Sequence, residues 1–353
     1  MNKRLNYVDN LRWILIVLLI LYHVAMAYNT WGEANYIFLE VNKPIASIVS
    51  FMSPWFMPLM FLLAGISSYY SLEKRGIKSF ILERLIRIGI PFIFGVLFIN
   101  PILSYIADVT HNGYSGNYFE HYGVYFTKYT DLSGYDGGFT LGHFWFLAVL
   151  LLISFVSLIF VVIAKNIPEE KKKTVLIIFA VIASVIAIAT FNVDILGKRI
   201  ITYLFIYLIG YFAFGKENIT AYISKFKWIF FALFLITNIA NVVLFIYVGG
   251  YETLNTIMNY LSFVFGVLGL FTFAHDHLDF ANGFTKKCAS LSYVFYICHF
   301  PIVVLAQYLF MKLEMNNVLN FFVATLVSYV LTAGLTYGIS YVPYVRIVFG
   351  LKR

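Results

Sequence analysis

The sequence predicts an all-α fold, a polytopic transmembrane helix bundle of about ten spans with both termini in the cytoplasm. Three observations lead there. Of the 353 residues, 61% are hydrophobic and only 12% are charged, far more apolar surface than a soluble domain of this size needs. Apolar runs close to the ~20 residues that cross a bilayer recur along the whole chain. The basic residues gather in alternate loops between those runs, which is how a membrane protein fixes its orientation. Aromatic residues reach 20%, as interfacial belts require. The net charge of +8 is spread over short loops, so membrane lipid is the expected partner and nucleic acid is not.

Taken in order, the runs are residues 11–29, 45–70, 86–107, 142–164, 174–192, 200–215, 228–248, 253–274, 289–311 and 317–341. The sixth is the shortest. The first follows Lys3 and Arg4, and Ala25-Met26-Ala27 has the form of a signal-peptidase site. Arg12 interrupts the run, however, and removing it would spoil the charge alternation, so it is read as a retained span. No repeat or soluble linker breaks the chain, which is read as one membrane-embedded domain over residues 1–353.

With the N-terminus inside, the inner segments carry Lys3, Arg4 and Arg12; Lys74, Arg75, Lys78, Arg84 and Arg87; Lys165 and Lys171 to Lys173; Lys216, Lys225 and Lys227; Lys286 and Lys287; and Arg346, Lys352 and Arg353. The outer segments carry Lys43, Lys128, Lys198, Arg199 and Lys312, a division of 20 against 5. A missed or invented span would scramble this bias. The longest loop, residues 108–141, falls outside and is rich in Gly and Tyr. It reads either as an interfacial aromatic segment or as a lid on which sugar rings stack.

Ionisable groups inside a membrane are costly, so each is a site candidate. The first span holds Asp9, Arg12 and His23. The eleven-residue step from Arg12 to His23 leaves them about 20° apart around a helix and roughly 16 Å apart along it. Asp9, one turn before Arg12, is placed to orient it. One stripe thus offers an anion-binding guanidinium near the inner surface and an imidazole at depth. Such a histidine stays neutral, the form a general base requires. Topology anchoring and plain packing are the competing explanations.

His299 is a second deep histidine. Tyr293, Tyr296 and His299 recur every third residue, and Pro301 frees a backbone carbonyl one turn earlier. These three residues read as substrate-binding or as polar contacts within the bundle. His143 and Trp145 open the fourth run, and an interface belt explains them as well as a substrate site does. Arg84 and Arg87, three apart, suit a phosphate clamp or positive-inside anchoring. His275-Asp276-His277 is read as a solvated loop rather than a metal fragment. Cys288 and Cys298 would stand roughly 15 Å apart on one helix, too far to bridge. No structural metal is expected.

Four stretches resemble the acyltransferase-3 family of integral membrane acyltransferases. Tyr7-Val8-Asp9-Asn10-Leu11-Arg12 followed by His23 resembles its first-helix signature. Met57-Pro58-Leu59-Met60-Phe61-Leu62-Leu63-Ala64-Gly65 is similar to its second-helix run, and Arg84-Leu85-Ile86-Arg87 with Pro91 to its basic third-helix start. Ser292-Tyr293-Val294-Phe295-Tyr296-Ile297-Cys298-His299 resembles its late S-Y-x-x-Y-x-x-H run. The resemblance implies transfer of an acyl group, often acetyl, from acyl-CoA to a hydroxyl of a surface glycan, lipid or small molecule. It implies His23 as the catalytic residue, Arg12 as its partner, and Arg84 and Arg87 beside the acyl-CoA.

Two departures matter. Leu150 closes Trp145-Phe146-Leu147-Ala148-Val149-Leu150, where many members carry a Glu. That form is similar to the branch containing glucan-modifying succinyltransferases, and no catalytic Glu carries over. No appended soluble hydrolase-like domain is expected.

The expected activity is therefore membrane O-acylation, acetyl or succinyl, of a cell-envelope glycan or related acceptor. Acyl-CoA, acetyl-CoA foremost, is a co-substrate rather than a bound cofactor. Lys74 and Arg75 are further candidates for its phosphates. The expected location is the cell membrane, and a homodimer is left open. A proton-coupled transporter or flippase, using polar pairs such as Asn238 with Asn241 or Asn255 with Asn259, is the alternative. A non-catalytic scaffold is a third reading.

Overall fold

The computed structural model describes residues 5–313 and 315–351. Lys3, Arg4, Lys352 and Arg353 of the charge pattern lie outside the described residues. All of the regular structure of the described residues is helical. The first half of the chain folds as α1 (Asn6–Met26), α2 (Lys43–Met52), α3 (Phe56–Arg84), α4 (Ile90–Phe94), α5 (Asn100–His111), α6 (Tyr118–Thr127) and α7 (Trp145–Lys165). The second half folds as α8 (Glu169–Ala189), α9 (Ile200–Ile209), α10 (Glu217–Ser224), α11 (Lys227–Val242), α12 (Glu252–His277), α13 (Gly283–Phe310), α14 (Asn317–Tyr341) and α15 (Pro343–Val348). Short π turns at Leu85–Gly89, Gly95–Ile99, Gly210–Phe214 and Val243–Val248 join or extend several of these.

Among the described residues, eight helical stretches are long and apolar enough to cross a membrane, or nine if a bent pair counts as one span. Every apolar run read from the sequence falls on one of them. The number is lower than ten because runs 45–70 and 86–107 share the stretch Lys43–His111. That stretch is not straight. Gly76 takes φ +73° inside α3, a left-handed conformation that glycine adopts at little cost. Ser71 and Glu83 would stand about 18 Å apart along a straight helix, yet the Ser71 hydroxyl donates to Glu83 at 3.4 Å. The chain therefore doubles back at Gly76. The short sixth run is the bent pair: Ile200–Phe214 turns by 99° into α10.

The surface explains the composition. In α8 only Ala183 and Ala187 are buried, while Ile177, Ile178, Val181, Ile182 and Val185 are exposed. A helix that turns its branched apolar side chains outward is solvated by lipid, not water. The protein is a multi-pass membrane protein.

The chain divides into two compact units. The first gathers residues up to Arg12, Phe51–Leu85 and Val149–Thr285. Here α3 packs against α9 with backbones in near contact: a Cβ on Gly65 would sit 2.0 Å from the Tyr207 carbonyl oxygen, and one on Gly210 2.4 Å from that of Leu62. The Asn10 amide donates to the carbonyls of Leu278 and Phe280, tying the first turn of α1 to the residues after α12.

The second unit gathers Trp13–Ser50, Ile86–Ala148 and the residues from Lys286 on. Its core joins Ile20 and Val24 of α1, Ile45 and Val49 of α2, Val303 of α13, and Phe321 and Ala324 of α14. The Gln307 amide donates to the Val24 carbonyl at 3.0 Å. The expected loop 108–141 is well structured. A capping box of Asn117 and Glu120 starts α6 inside it, and buried donors pin it to α5 and to the segment between α1 and α2. Ser104 donates to Gly137 and Gly138, Asn100 to Thr140, and Tyr36 to Ser133.

Candidate active site

Within the second unit, three histidines from distant parts of the sequence meet. His23 comes from α1, His143 from the 3₁₀ turn Gly142–Phe144 that leads into α7, and His299 from α13. The His299 ring lies between the other two, with ring centres 5.3 Å from His23 and 5.2 Å from His143. The Phe300 ring packs on both, at 4.2 Å from His23 and 5.5 Å from His143. Beyond it, Tyr36 lies 5.5 Å from Phe300, and Tyr135 lies 5.0 Å from Tyr36. A ladder of rings thus runs from the 108–141 segment to the imidazoles.

Backbone carbonyls decide which nitrogens carry protons. Pro301 stands inside α13 and has no N–H for the Ile297 carbonyl one turn back. The His143 Nε2–H takes its place, donating to that carbonyl at 3.1 Å. His299 donates through Nδ1 to the Tyr296 carbonyl at 2.5 Å. A carbonyl only accepts, so each ring must hold its proton on the bonded nitrogen. In the neutral ring the other nitrogen is then a lone pair, and His143 Nδ1 and His299 Nε2 are both buried and without a partner. His143 and His299 are almost wholly buried, whereas His23 is half-buried. The Tyr296 hydroxyl closes the cluster by donating to the His143 carbonyl at 2.5 Å.

The basic group forms within the first unit. Asp9 pairs with Arg12 at 3.4 Å, one turn apart on α1 as their spacing required. Arg12 donates to the Ser67 hydroxyl at 2.5 Å. Arg84 donates to the next hydroxyl, Ser68, at 2.6 Å, and Tyr207 donates to the same oxygen at 2.6 Å. Ser68 is fully buried and gives its own proton to the Ala64 carbonyl. Neighbouring positions on α3 therefore gather two guanidiniums, which the doubling back at Gly76 makes possible for Arg84.

The other expected site residues have surroundings of their own. Arg75 forms an ion pair with Glu83, and Lys74 is exposed beside the Gly76 turn. Arg87 belongs to the second unit and stands in a π turn, where the α-helical spacing used to pair it with Arg84 no longer applies. Tyr293 stacks on Tyr296 at 6.3 Å and packs against Gly350. Trp145 is half-buried, with its ring 6.4 Å from Phe146. Phe300, Tyr36, Ser67, Ser68 and Tyr207 were not singled out from the sequence. In so apolar a chain, one more Phe, Tyr or Ser carries no signal of its own.

His275-Asp276-His277 is not a loop but the last turn of α12. His275 pairs with Glu217 at 2.9 Å, and Asp276 pairs with Lys227 at 2.5 Å. Asn238 of the polar pairs donates to the Phe51 carbonyl. Both cysteines are free. Among the described residues, no group of His, Cys, Asp and Glu is arranged to hold a metal ion. In comparisons with known proteins, a family model described as an acyltransferase domain matches residues 5–342. No curated protein and no solved structure matches the chain.

Proposed function

Because the chain belongs to the acyltransferase-3 family over nearly its whole length, it is a membrane acyltransferase, and we propose that it esterifies a hydroxyl of a cell-envelope glycan with acetyl or succinyl from acyl-CoA. The observation that carries this reading is the imidazole cluster of the second unit, where half-buried His23 packs beside His299, and His299 beside His143, each of those two held by a backbone carbonyl. Leu150 in place of the common Glu favours the branch of glucan-modifying succinyltransferases.

In this reading His23 is the general base. The acceptor hydroxyl attacks the thioester carbonyl, its proton passes to His23, and the C–S bond breaks as the C–O bond forms. His23 then returns the proton to the departing CoA thiolate, which balances the reaction. A variant of the scheme lets His23 carry the acyl group briefly itself. Half-buried Tyr135, backed by the buried rings of Tyr36 and Phe300, is assigned to the acceptor, since sugar faces stack on such rings. Arg12 and Arg84 are assigned to the donor's phosphates. The charge pattern supports a cytoplasmic donor side and cytoplasmic termini, and the location is taken to be the cell membrane.

The test is His23→Ala in membranes supplied with labelled acetyl-CoA and succinyl-CoA. Loss of a general base typically costs 10²–10⁴-fold in rate, so label transfer should drop by at least about a hundredfold. Undiminished transfer ends the proposal. Movement of a glycan across the bilayer without any acyl-CoA would support the transporter instead.

A further inference from the structure

His299 holds a lone pair that nothing in its surroundings satisfies. Nε2 is buried, and its ring is held by the Nδ1–H bond to the Tyr296 carbonyl. A buried acceptor without a donor is costly, so one that persists calls for a physical reason. Two imidazoles flank it. His143 cannot help, because its proton is spent on the Ile297 carbonyl and its Nδ1 is itself a lone pair. The other neighbour is His23, whose neutral ring has one N–H to give.

The spacing suits that bond. An N–H···N hydrogen bond of about 2.9 Å sets two imidazole centres about 5 Å apart. The centres of His23 and His299 are 5.3 Å apart, with the rings tilted by 39°. The bond requires the His23 ring to present an N–H toward His299 Nε2, while Phe300 supports the ring at 4.2 Å.

We propose that His299 is the positioning residue of His23: in the working state His23 donates its N–H to His299 Nε2, and its other nitrogen is thereby left bare and aimed at the acceptor hydroxyl. The inference rests on the reading of His23 as the base. The logic is that of a base held in one tautomer by a fixed acceptor. When His23 takes the acceptor's proton, the same bond supports the imidazolium until the proton leaves with the CoA thiol. His299 keeps its Nδ1–H throughout, and His23 gives to the CoA thiolate the one proton it took, so the pair ends the cycle as it began. A neutral imidazole is a weaker support than a carboxylate, so the effect is expected to be smaller than that of a buried Asp.

The experiment compares His299→Leu, His299→Gln and His23→Ala in the full chain, using native membranes and labelled acetyl-CoA and succinyl-CoA. The expected result is a fall in kcat on the order of a hundredfold for His299→Leu, with KM for acyl-CoA unchanged. His299→Gln keeps an accepting oxygen and should recover much of the loss. A merely structural His299 predicts the reverse order, since Leu removes an unsatisfied acceptor from an apolar core without adding one. In parallel, ¹⁵N-histidine spectra of the protein in lipid should show a single His23 tautomer whose N–H is hydrogen-bonded, and His299→Phe should abolish that bond. Wild-type transfer by His299→Leu overturns the proposal, as does Gln performing no better than Leu. So does a His23 signal indifferent to His299→Phe. Should His23→Ala still transfer label, the base reading itself falls and takes this inference with it.

Discussion

Single atoms decide the chemistry of this protein. The Ser68 hydroxyl oxygen accepts from Arg84 and Tyr207 at once while its proton goes to Ala64. Removing it leaves two donors short of a partner in a buried place, at a cost of about 1–3 kcal/mol. Ser68→Ala should therefore lower the thermal midpoint and, by freeing Arg84, raise KM for acyl-CoA several-fold with kcat nearly unchanged. Wild-type values in both measurements would show that this oxygen holds neither partner in place. Pro301 acts at the same scale. It frees the Ile297 carbonyl, which fixes the tautomer of His143. The proline and its orphaned carbonyl were legible in the sequence. The histidine 154 residues away that fills it was not, because a carbonyl selects its donor by position and not by sequence distance.

At the scale of elements, polar clasps hold the apolar helices and their loops. The 108–141 segment is fastened by His121, whose Nε2 lies 3.1 Å from Asp108 while the ring is fully buried. Burial holds the His121 pKa below its ordinary value of about 6.5, with Lys128 adding to the shift and Asp108 opposing it. The unfolded segment therefore binds more protons than the folded one below about pH 6.5, so stability falls as pH falls through that value. Limited proteolysis between residues 112 and 141 should accelerate on going from pH 7.5 to 5.5. His121→Phe should remove most of that pH dependence, and a cleavage rate flat with pH would refute this role. Tyr135 of this segment packs edge-on against Tyr36. The sequence showed the composition of the segment but not α6 or the pins from Ser104 and Asn100. Those depend on α5 lying underneath.

For the molecule as a whole, the charge alternation makes a prediction of its own. It puts Lys286 and Lys287 on the cytoplasmic side. Cys288 follows them and is half-buried, and Cys298 is buried. A membrane-impermeant maleimide should label the protein at Cys288 in inside-out vesicles and leave intact cells unlabelled. Labelling from outside would reverse the topology and move the donor side with it. The sequence by itself determined the class of fold, the positions of the apolar runs and the residues worth watching on α1 and α13. Those are consequences of hydropathy, charge and helical period, which act along the chain. Only the tertiary structure decided that His143 joins His23 and His299 while Trp145 packs beside Phe146, and that Arg84 meets Ser68 through the reversal at Gly76. It alone showed which imidazole nitrogens are bare. Such facts arise where segments far apart in sequence compete for the same few hydrogen bonds in an apolar interior, and no local pattern records the outcome of that competition.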